Sequence, residues 1–405
     1  MATSSTVPVW RRPAFVLAAG CLMGVLTFGI RGGFGLFLEP ISSTMGWGRE
    51  IFAMSLAIQN LLWGLSQPVA GAIADRYGAG RVLAAGGVLY AGGVYLMAVS
   101  STPGAMYLTA GLLVGMGVGG ASFAVVLSAM ARVVSQERRS LVLGIGTAAG
   151  SVGQVLLVPL GGAFIAAYGW QTALVLLSLG VLLVVPLAVP LAGRPGSHLL
   201  GAEQTLRQAL REAFRHSGFN YLTIGFFVCG FHVMFIAVHL PAFVVDQGLD
   251  AEVGAIALAL VGATNIVGSY LSGYFGGFRS KKNLLSLIYL ARAIVITLFV
   301  LAPVTELSVY LFSIAIGFLW LSTVPLTSGL VAQLFGLRYM ATLFGIVFLS
   351  HQLGSFLGVW LGGYLYDATG SYDVVWWLAV GLGLAAAAIH WPIDERAVAR
   401  QAAAE

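Results

Sequence analysis

Long apolar runs separated by short polar joints make up nearly the whole chain. Breaking it at the polar and Gly/Pro-rich joints gives twelve runs. The first six cover about 14–38, 51–73, 82–99, 105–131, 141–167 and 171–192, and the second six about 219–245, 253–276, 284–302, 308–332, 341–366 and 374–391. Each has the length of a helix that crosses a bilayer, which takes roughly 20 residues. The longest polar stretch, Gly193 to Gly218, separates the two sixes, and Glu203 to Phe214 within it reads as a short surface helix. The pattern predicts an all-α membrane protein of twelve transmembrane helices in two six-helix bundles. The first bundle spans 1–192, a cytoplasmic linker 193–218, and the second bundle 219–405 with a short cytoplasmic tail.

The two sixes repeat. Adding 201 to a position in the first half often lands on its counterpart: Pro40 on Pro241, Gly144-Ile-Gly146 on Gly345-Ile-Val347, Gly161-Gly162 on Gly362-Gly363. The loop from Asp75 to Arg81 corresponds, one residue adrift, to Gly277-Phe-Arg279-Ser-Lys281-Lys282. Parallel repeats about an axis along the membrane normal mark a transporter, with substrate bound near the midplane where the halves meet. Under this offset Arg31 maps to His232, so the two in-membrane candidates are expected to face each other.

Composition removes the alternatives. With 59% hydrophobic and 9% charged residues and a mean hydropathy of +0.93, the chain is not a soluble domain, which carries roughly a quarter charged residues. The net charge of +5 reflects topology rather than nucleic-acid binding. One set of joints collects Arg11, Arg12, Arg76, Arg81, Arg132, Arg138, Arg139, the central-loop arginines, Arg279, Lys281, Lys282, Arg338, Arg396 and Arg400, and the opposite set has only Arg49. Both termini are therefore expected in the cytoplasm. Met1 to Pro13 lacks a cleavable-signal pattern and leads into an uncleaved first span. Cys21 and Cys229 lie in apolar runs and indicate neither a disulfide framework nor a metal site. No cofactor is indicated.

Two cations, Arg31 and Arg292, fall inside runs, whereas all 15 acidic residues fall in loops, tails or helix ends. An intramembrane cation is expensive and faces a partner or a water-filled cavity. Arg31 lies roughly 7–8 Å beyond the middle of its run, among Gly29, Gly32, Gly33 and Gly35, which leave room for a ligand. The plain alternative is snorkelling to the headgroups. Arg292 reads as structural, bonding to an adjacent span. His232, with His239 two turns on, is a candidate for substrate binding or proton relay, against a simple interhelical hydrogen bond. His351 and Gln352 occupy mid-span eleven. Asn60, Gln67, Gln154 and Asn265 are polar enough to line a cavity or bridge helices, and Trp320 is the aromatic candidate.

The stretch Gly71-Ala-Ile-Ala-Asp75-Arg76-Tyr77-Gly78-Ala79-Gly80-Arg81 resembles the signature loop of the Major Facilitator Superfamily. With the 6+6 repeat, the resemblance covers about 14 to 392. It implies that Asp75, with Gly71, Arg76, Arg81 and Arg132, locks the cytoplasmic gate in the outward-open state. The second-half copy has Gly277 where an acid might be expected, so its gate is weaker or differently built. Tyr168-Gly-Trp170, Gly46-Trp47-Gly48-Arg49 and His351-Gln352-Leu-Gly354-Ser-Phe-Leu-Gly358 are together similar to bacterial relatives of the monocarboxylate and oxalate/formate carriers. The acidic-Gly-Trp pattern of animal monocarboxylate carriers near span one is absent. So is a charged Asp/Arg pair in span eight, where only Asn265 stands. Gly144 to Gly162 with Pro159 resembles an antiporter glycine-proline motif only in part.

The reading is a secondary transporter of small organic anions, monocarboxylates first, working by alternating access as a monomer in a bacterial inner membrane. Its partners are the carboxylate, a co-transported proton and the lipid bilayer, with no nucleic acid. Arg31 would pair with the carboxylate, His232, His351 and neutral polar groups would complete the site, and Phe28, Phe34, Phe231 and Phe235 would wall it. Proton symport is preferred to anion exchange, with a histidine, an end-of-helix acid such as Glu39, or the substrate carrying the proton. Drug efflux is the rival within transporters, disfavoured because a cationic cargo wants a buried acid. A receptor or enzyme would need a soluble domain, clustered metal ligands or a nucleophile with a base, and none is visible.

Overall fold

The computed structural model describes residues 9–47, 49–193 and 204–398. These are helical almost throughout, with no strand among them. The first span is α1 (Pro13–Gly32), followed by a 3-10 turn and a short α2 (Leu38–Met45). Then come α3 (Arg49–Tyr77) and α4 (Ala79–Val99). The fourth span is built in pieces: α5 (Pro103–Met106), a π turn over Tyr107–Leu113, α6 (Val114–Gly120) and α7 (Phe123–Arg132). The fifth and sixth run together as α8 (Gln136–Leu182), continued by α9 (Val184–Leu187). The linker carries α10 (Leu206–Arg215), capped by a reciprocal Thr205–Gln208 box. Arg194 and Glu203 lie outside the described residues. The second half comprises α11 (Ser217–Asp246), α12 (Ala251–Phe275), α13 (Lys281–Leu301), α14 (Glu306–Leu319), α15 (Thr323–Phe335), α16 (Met340–Thr369) and α17 (Asp373–His390).

Ten helical stretches are long and apolar enough to cross a membrane. One of them, Gln136–Leu187, contains two of the runs read from sequence. Gly169 divides it at φ 78, ψ 165. A Cβ placed on Gly161 would lie 3.9 Å from Leu177, and these two residues are equidistant from Gly169, as two antiparallel legs require. The run at 51–73 is α3. It falls outside those ten because Gln59, Asn60 and Gln67 dilute its hydropathy. With the two legs counted separately and α3 included, every expected span is present as a helix.

The backbone of Gly169 sits in a region open essentially to glycine alone, at a cost of about 1–3 kcal/mol for other residues. Nothing lies within 4 Å of a Cβ built there, so that cost is purely conformational. Gly169→Ala is expected to lower the thermal midpoint in detergent, measured by tryptophan fluorescence, while leaving neighbouring contacts intact. An unchanged midpoint would mean that the turn relaxes freely.

The halves meet along two seams, α3 against α16 and α8 against α12. Small residues make both possible: a Cβ on Gly144 would fall 2.7 Å from the Gly273 Cα, and one on Gly71 would fall 2.5 Å from the Ala341 carbonyl oxygen. Close backbone approach of this kind replaces the hydrophobic drive that lipid removes from helix packing.

Two features were not anticipated from the apolar runs. The fourth span breaks at Ala121–Ser122 and the tenth at Trp320–Ser322. Adding 201 to Ala121 lands on Ser322, the last residue of the second break. Matched interruptions of this sort, where backbone groups are freed at membrane depth, point to the functional centre of a repeat-built transporter.

Candidate functional site

The site assembles around Arg31, at the last turn of α1. Its Nη2 donates to Asn60 Oδ1 on α3, and the guanidinium lies 4.4 Å over the Trp63 ring one turn further along α3. Its Nε is buried without a partner. Arg31 and Asn60 are both half-buried as whole residues, although the guanidinium Nε itself is enclosed. Among the described residues the ion pairs are Arg132–Asp75 and Arg396–Asp394, and neither involves Arg31. A neutral amide and an aromatic face therefore hold a permanent positive charge. The described ion pairs leave it free for an anion. The Glu39 side chain lies outside the described residues.

An aromatic floor lies beneath the guanidinium. Phe28 packs on Phe123 at 3.8 Å between centroids and edge-on to Trp63 at 5.8 Å, and Trp63 meets Phe348 of α16 at 5.1 Å. Phe123 opens α7 just after the break in the fourth span, so that break feeds this cluster. Of the other expected wall residues, Phe34 is buried against Tyr90, while Phe231 and Phe235 pack on each other and with His239 and Trp376 inside the second half. Those three do not join Arg31.

His351 and Gln352 reach the same region from α16. Gln352 Nε2 donates to the Asn60 carbonyl oxygen at 3.3 Å, and its Oε1 sits 3.2 Å from His351 Nδ1. The His351 ring is stacked on Phe348, and its Nε2 is buried, with the Cys229 thiol of α11 beside the ring. Arg31, Asn60, Gln352 and His351 thus form one connected series across the seam between halves.

The structure does not bring His232 to Arg31, contrary to the expectation drawn from the repeat. His232 Nε2 bonds the Ala379 carbonyl of α17 at 2.8 Å, and the residue is 1% exposed. His239 likewise bonds Val359 O and Tyr372. Both serve as helix–helix fasteners in this conformation. Gln154 is half-buried and lies over Gly32, where a Cβ would sit 3.1 Å from its Cγ, so it flanks Arg31. Trp320 sits half-buried at the tenth-span break.

Asn265 is fully employed. Its Nδ2 donates to Ser151 of α8 at 2.6 Å, and its Oδ1 accepts from the Leu321 backbone N–H at 2.9 Å and from Ser269. One side chain therefore satisfies an N–H freed by the break and ties the two halves together. On the other side of the break, Arg292 Nη2 donates to Leu319 O at 2.7 Å and to Trp320 O. The cation closes the C-terminal end of α14, where carbonyls lack intrahelical partners. Asn265→Leu would leave the Leu321 donor and Ser151 unpaired, at a cost of about 1–3 kcal/mol. A drop in thermal midpoint together with weaker contact between halves is the expected result. Wild-type stability would show the bonds to be dispensable.

The loop residues occupy one end of the molecule. Asp75, at the end of α3, is paired with Arg132 of α7. Its Oδ2 accepts from both the backbone N–H and the hydroxyl of Thr342 on α16, each at 2.8 Å. Gly71 lies one turn before it against Ala341. Arg76 and Arg81 are exposed, with Arg76 over Tyr77, and neither pairs with Asp75. Arg132 was the loop's partner least obvious from sequence, lying 57 residues away. Cross-half hydrogen bonds among the described residues run from this end up to mid-depth, at Ser151–Asn265 and Asn60–Gln352. Cys21 and Cys229 are free thiols, and no group of three or more metal-binding side chains occurs among the described residues.

Comparison with known proteins agrees with this architecture. The chain is 26% identical over 376 residues to monocarboxylate transporter 13 of Bos taurus, covering 88% of this chain and 83% of that one. It is 24% identical to the MFS-type transporter YcxA of Bacillus subtilis, covering 89% and 90% respectively. The fucose:proton symporter FucP of E. coli superposes with a TM-score of 0.71 at 14% identity, covering 92% of this chain and 98% of that one. The proton:xylose symporter XylE does so with 0.73 at 16% identity, covering 93% and 95%. These relatives are transporters, not enzymes. The sequence model of the Major Facilitator Superfamily matches residues 20–359, and the chain belongs to that superfamily.

Proposed function

We propose that the protein is a secondary transporter of small monocarboxylates, moving them with protons by alternating access. The observation that carries this reading is Arg31, a cation held by Asn60 and Trp63 with no ion pair among the described residues. A carboxylate supplies the missing charge, bonds the planar guanidinium in two-pronged fashion, and places a short carbon tail against Phe28 and Trp63. The relatives named as monocarboxylate transporters support the substrate class, and the two symporters of like fold support proton coupling. A hydrophobic cation is a poor fit to a site whose fixed charge is positive.

In this reading residues 1–192 and 219–405 form the two rocking bundles and 193–218 the cytoplasmic linker. Asp75 with Gly71, Arg76, Arg81 and Arg132 guards the cytoplasmic end, and the bonds from Asp75 to Thr342 hold that end shut. His351, Gln352, Asn60 and Gln154 surround the carboxylate. Asn265, Trp320 and His232 support the site through the broken tenth span and the packing of α17. The protein works as a monomer in a bacterial inner membrane with both termini inside.

A thermal-shift screen of the purified protein against formate, acetate, L-lactate, pyruvate and oxalate tests the substrate class. Binding to the native state stabilises it in proportion to ligand occupancy, so one or more acids should raise the midpoint in wild type and not in Arg31→Ala. Equal shifts in both proteins would place the carboxylate elsewhere.

A further inference from the structure

Behind the carboxylate site, the second half encloses a cluster of ionisable groups at the tenth-span break. Cys229 of α11, Tyr289 and Arg292 of α13, Thr323 of α15 and His351 of α16 are all buried there. Cys229 Sγ lies 3.2 Å from Thr323 Oγ1 and 3.7 Å from Arg292 Nη2, and His351 lies against it. Tyr289 stands beneath the Arg292 guanidinium at 5.3 Å, and its hydroxyl is unpartnered. Its ring stacks on His390 of α17 at 5.0 Å. His232, also near Arg292, directs its Nε2 to Ala379. The groups facing Cys229 are thus one cation, one imidazole, one phenol and one hydroxyl, with no carboxylate among the described residues.

The Arg292 guanidinium is met by the Leu319 and Trp320 carbonyls and by the Cys229 sulfur, and a negative charge on that sulfur would offset the cost of burying the cation. Of the acids in contact with it, a thiol ordinarily ionises nearer neutrality than a phenol. Cys229 also touches His351, whose other nitrogen joins Gln352, Asn60 and then Arg31.

We propose that Cys229 and His351 form the proton-binding site of the transporter, a thiol–imidazole pair in place of a membrane carboxylate. Arg292 is its fixed counter-charge, and the Gln352–Asn60 bridge links it to Arg31. The assignment rests on the carboxylate–proton reading above and locates the proton. Without substrate or proton, the Arg31 cation, the Arg292 cation and the Cys229 thiolate sum to one positive charge. A proton passes through His351 to the sulfur, giving S–H, while a carboxylate neutralises Arg31. The loaded site again carries one positive charge. Binding only the acid or only the proton changes that sum, and the buried cluster disfavours both. Cargo and proton therefore cross together.

Infrared spectroscopy of the Cys21→Ala protein tests the site without a substrate, because Cys229 is then the sole thiol of the chain. The S–H stretching band should weaken as pH rises from about 5 to about 9, and this response should move by about one pH unit or more in the same protein carrying His351→Gln. A band constant over that range overturns the proposal, and a band that titrates identically in both proteins overturns the pairing. In vesicles loaded with L-lactate, the ratio of pH-driven accumulation to counterflow should fall about tenfold or more in Cys229→Ser. An unchanged ratio counts against the site. If Cys229→Ser yields no folded protein, the infrared titration decides alone. Wild-type vesicles that fail to move L-lactate would refute that substrate, while the infrared titration still decides whether Cys229 and His351 bind the proton.

Discussion

Arg31→Ala is expected to raise the half-saturating carboxylate concentration for uptake by about tenfold to a hundredfold. That range follows from losing one hydrogen-bonded charge partner, worth about 1.5–3 kcal/mol, where each 1.4 kcal/mol is about tenfold. The neighbourhood makes the prediction sharp, because Asn60, Gln352 and Trp63 are neutral and cannot supply the charge. Arg31→Lys should fall between wild type and alanine. It keeps the cation but gives up the planar fork that bonds Asn60 and a carboxylate together. Concentration-dependent uptake of the acids that stabilise the protein, measured in proteoliposomes at fixed pH on both sides, reads the effect. A half-saturation unchanged in Arg31→Ala would end the anion-binding reading of this residue.

Asp75→Asn should shift the population toward opening at the Asp75 end. In the structure Asp75 spends one oxygen on Arg132, within its own half, and the other on two donors of Thr342 across the seam. The amide keeps one carbonyl oxygen and loses the charge, so the seam loses about 2 kcal/mol, or roughly thirtyfold in the equilibrium. Arg132 is left without its counter-ion in either state, so overall stability falls too. Spin labels at the exposed Tyr77 and Phe278, one on each half, would report a longer distance population. Thr342→Val removes one of the same bonds and spares the ion pair, so it should give a smaller shift in the same direction. Because the two changes act on one contact, their combination should be less than additive. Distance distributions identical to wild type in Asp75→Asn would show that the seam is held by helix packing alone.

Helix number, the repeat and the solitary charge of Arg31 were legible because they depend on composition and spacing. The absence of an in-span acid to pair with Arg31 was legible from the acid census, whereas the Asn60 and Trp63 contacts depend on how α3 is rotated. His232 shows the limit of the repeat. An offset of 201 matches positions along the chain, but a helix turns about 100° per residue. Matching positions share a place along the chain and not the same neighbours, and His232 bonds Ala379 of α17 where Arg31 meets Asn60 and Trp63 of α3. The breaks in the fourth and tenth spans were invisible for a different reason. Hydropathy registers what a segment contains and not whether its backbone hydrogen bonds run unbroken. Gly115 to Gly120, Asn265 and Arg292 carried the signal, since freed backbone groups at membrane depth must find side-chain partners.

The polarity of α3 bears on how the chain reaches its membrane. Insertion weighs each segment largely by composition, and buried amides count against it. Gln59 finds its partner in Ala110 O, 2.9 Å away in the π turn of the fourth span, and Asn60 finds Arg31 on the first. During synthesis the first three spans can therefore satisfy only part of the second. The nascent protein should hold that segment beside the insertion machinery until the fourth span emerges, and then release a group of four. Truncations ending before residue 107 should accordingly leave the second span poorly inserted, whereas those ending after 132 should not.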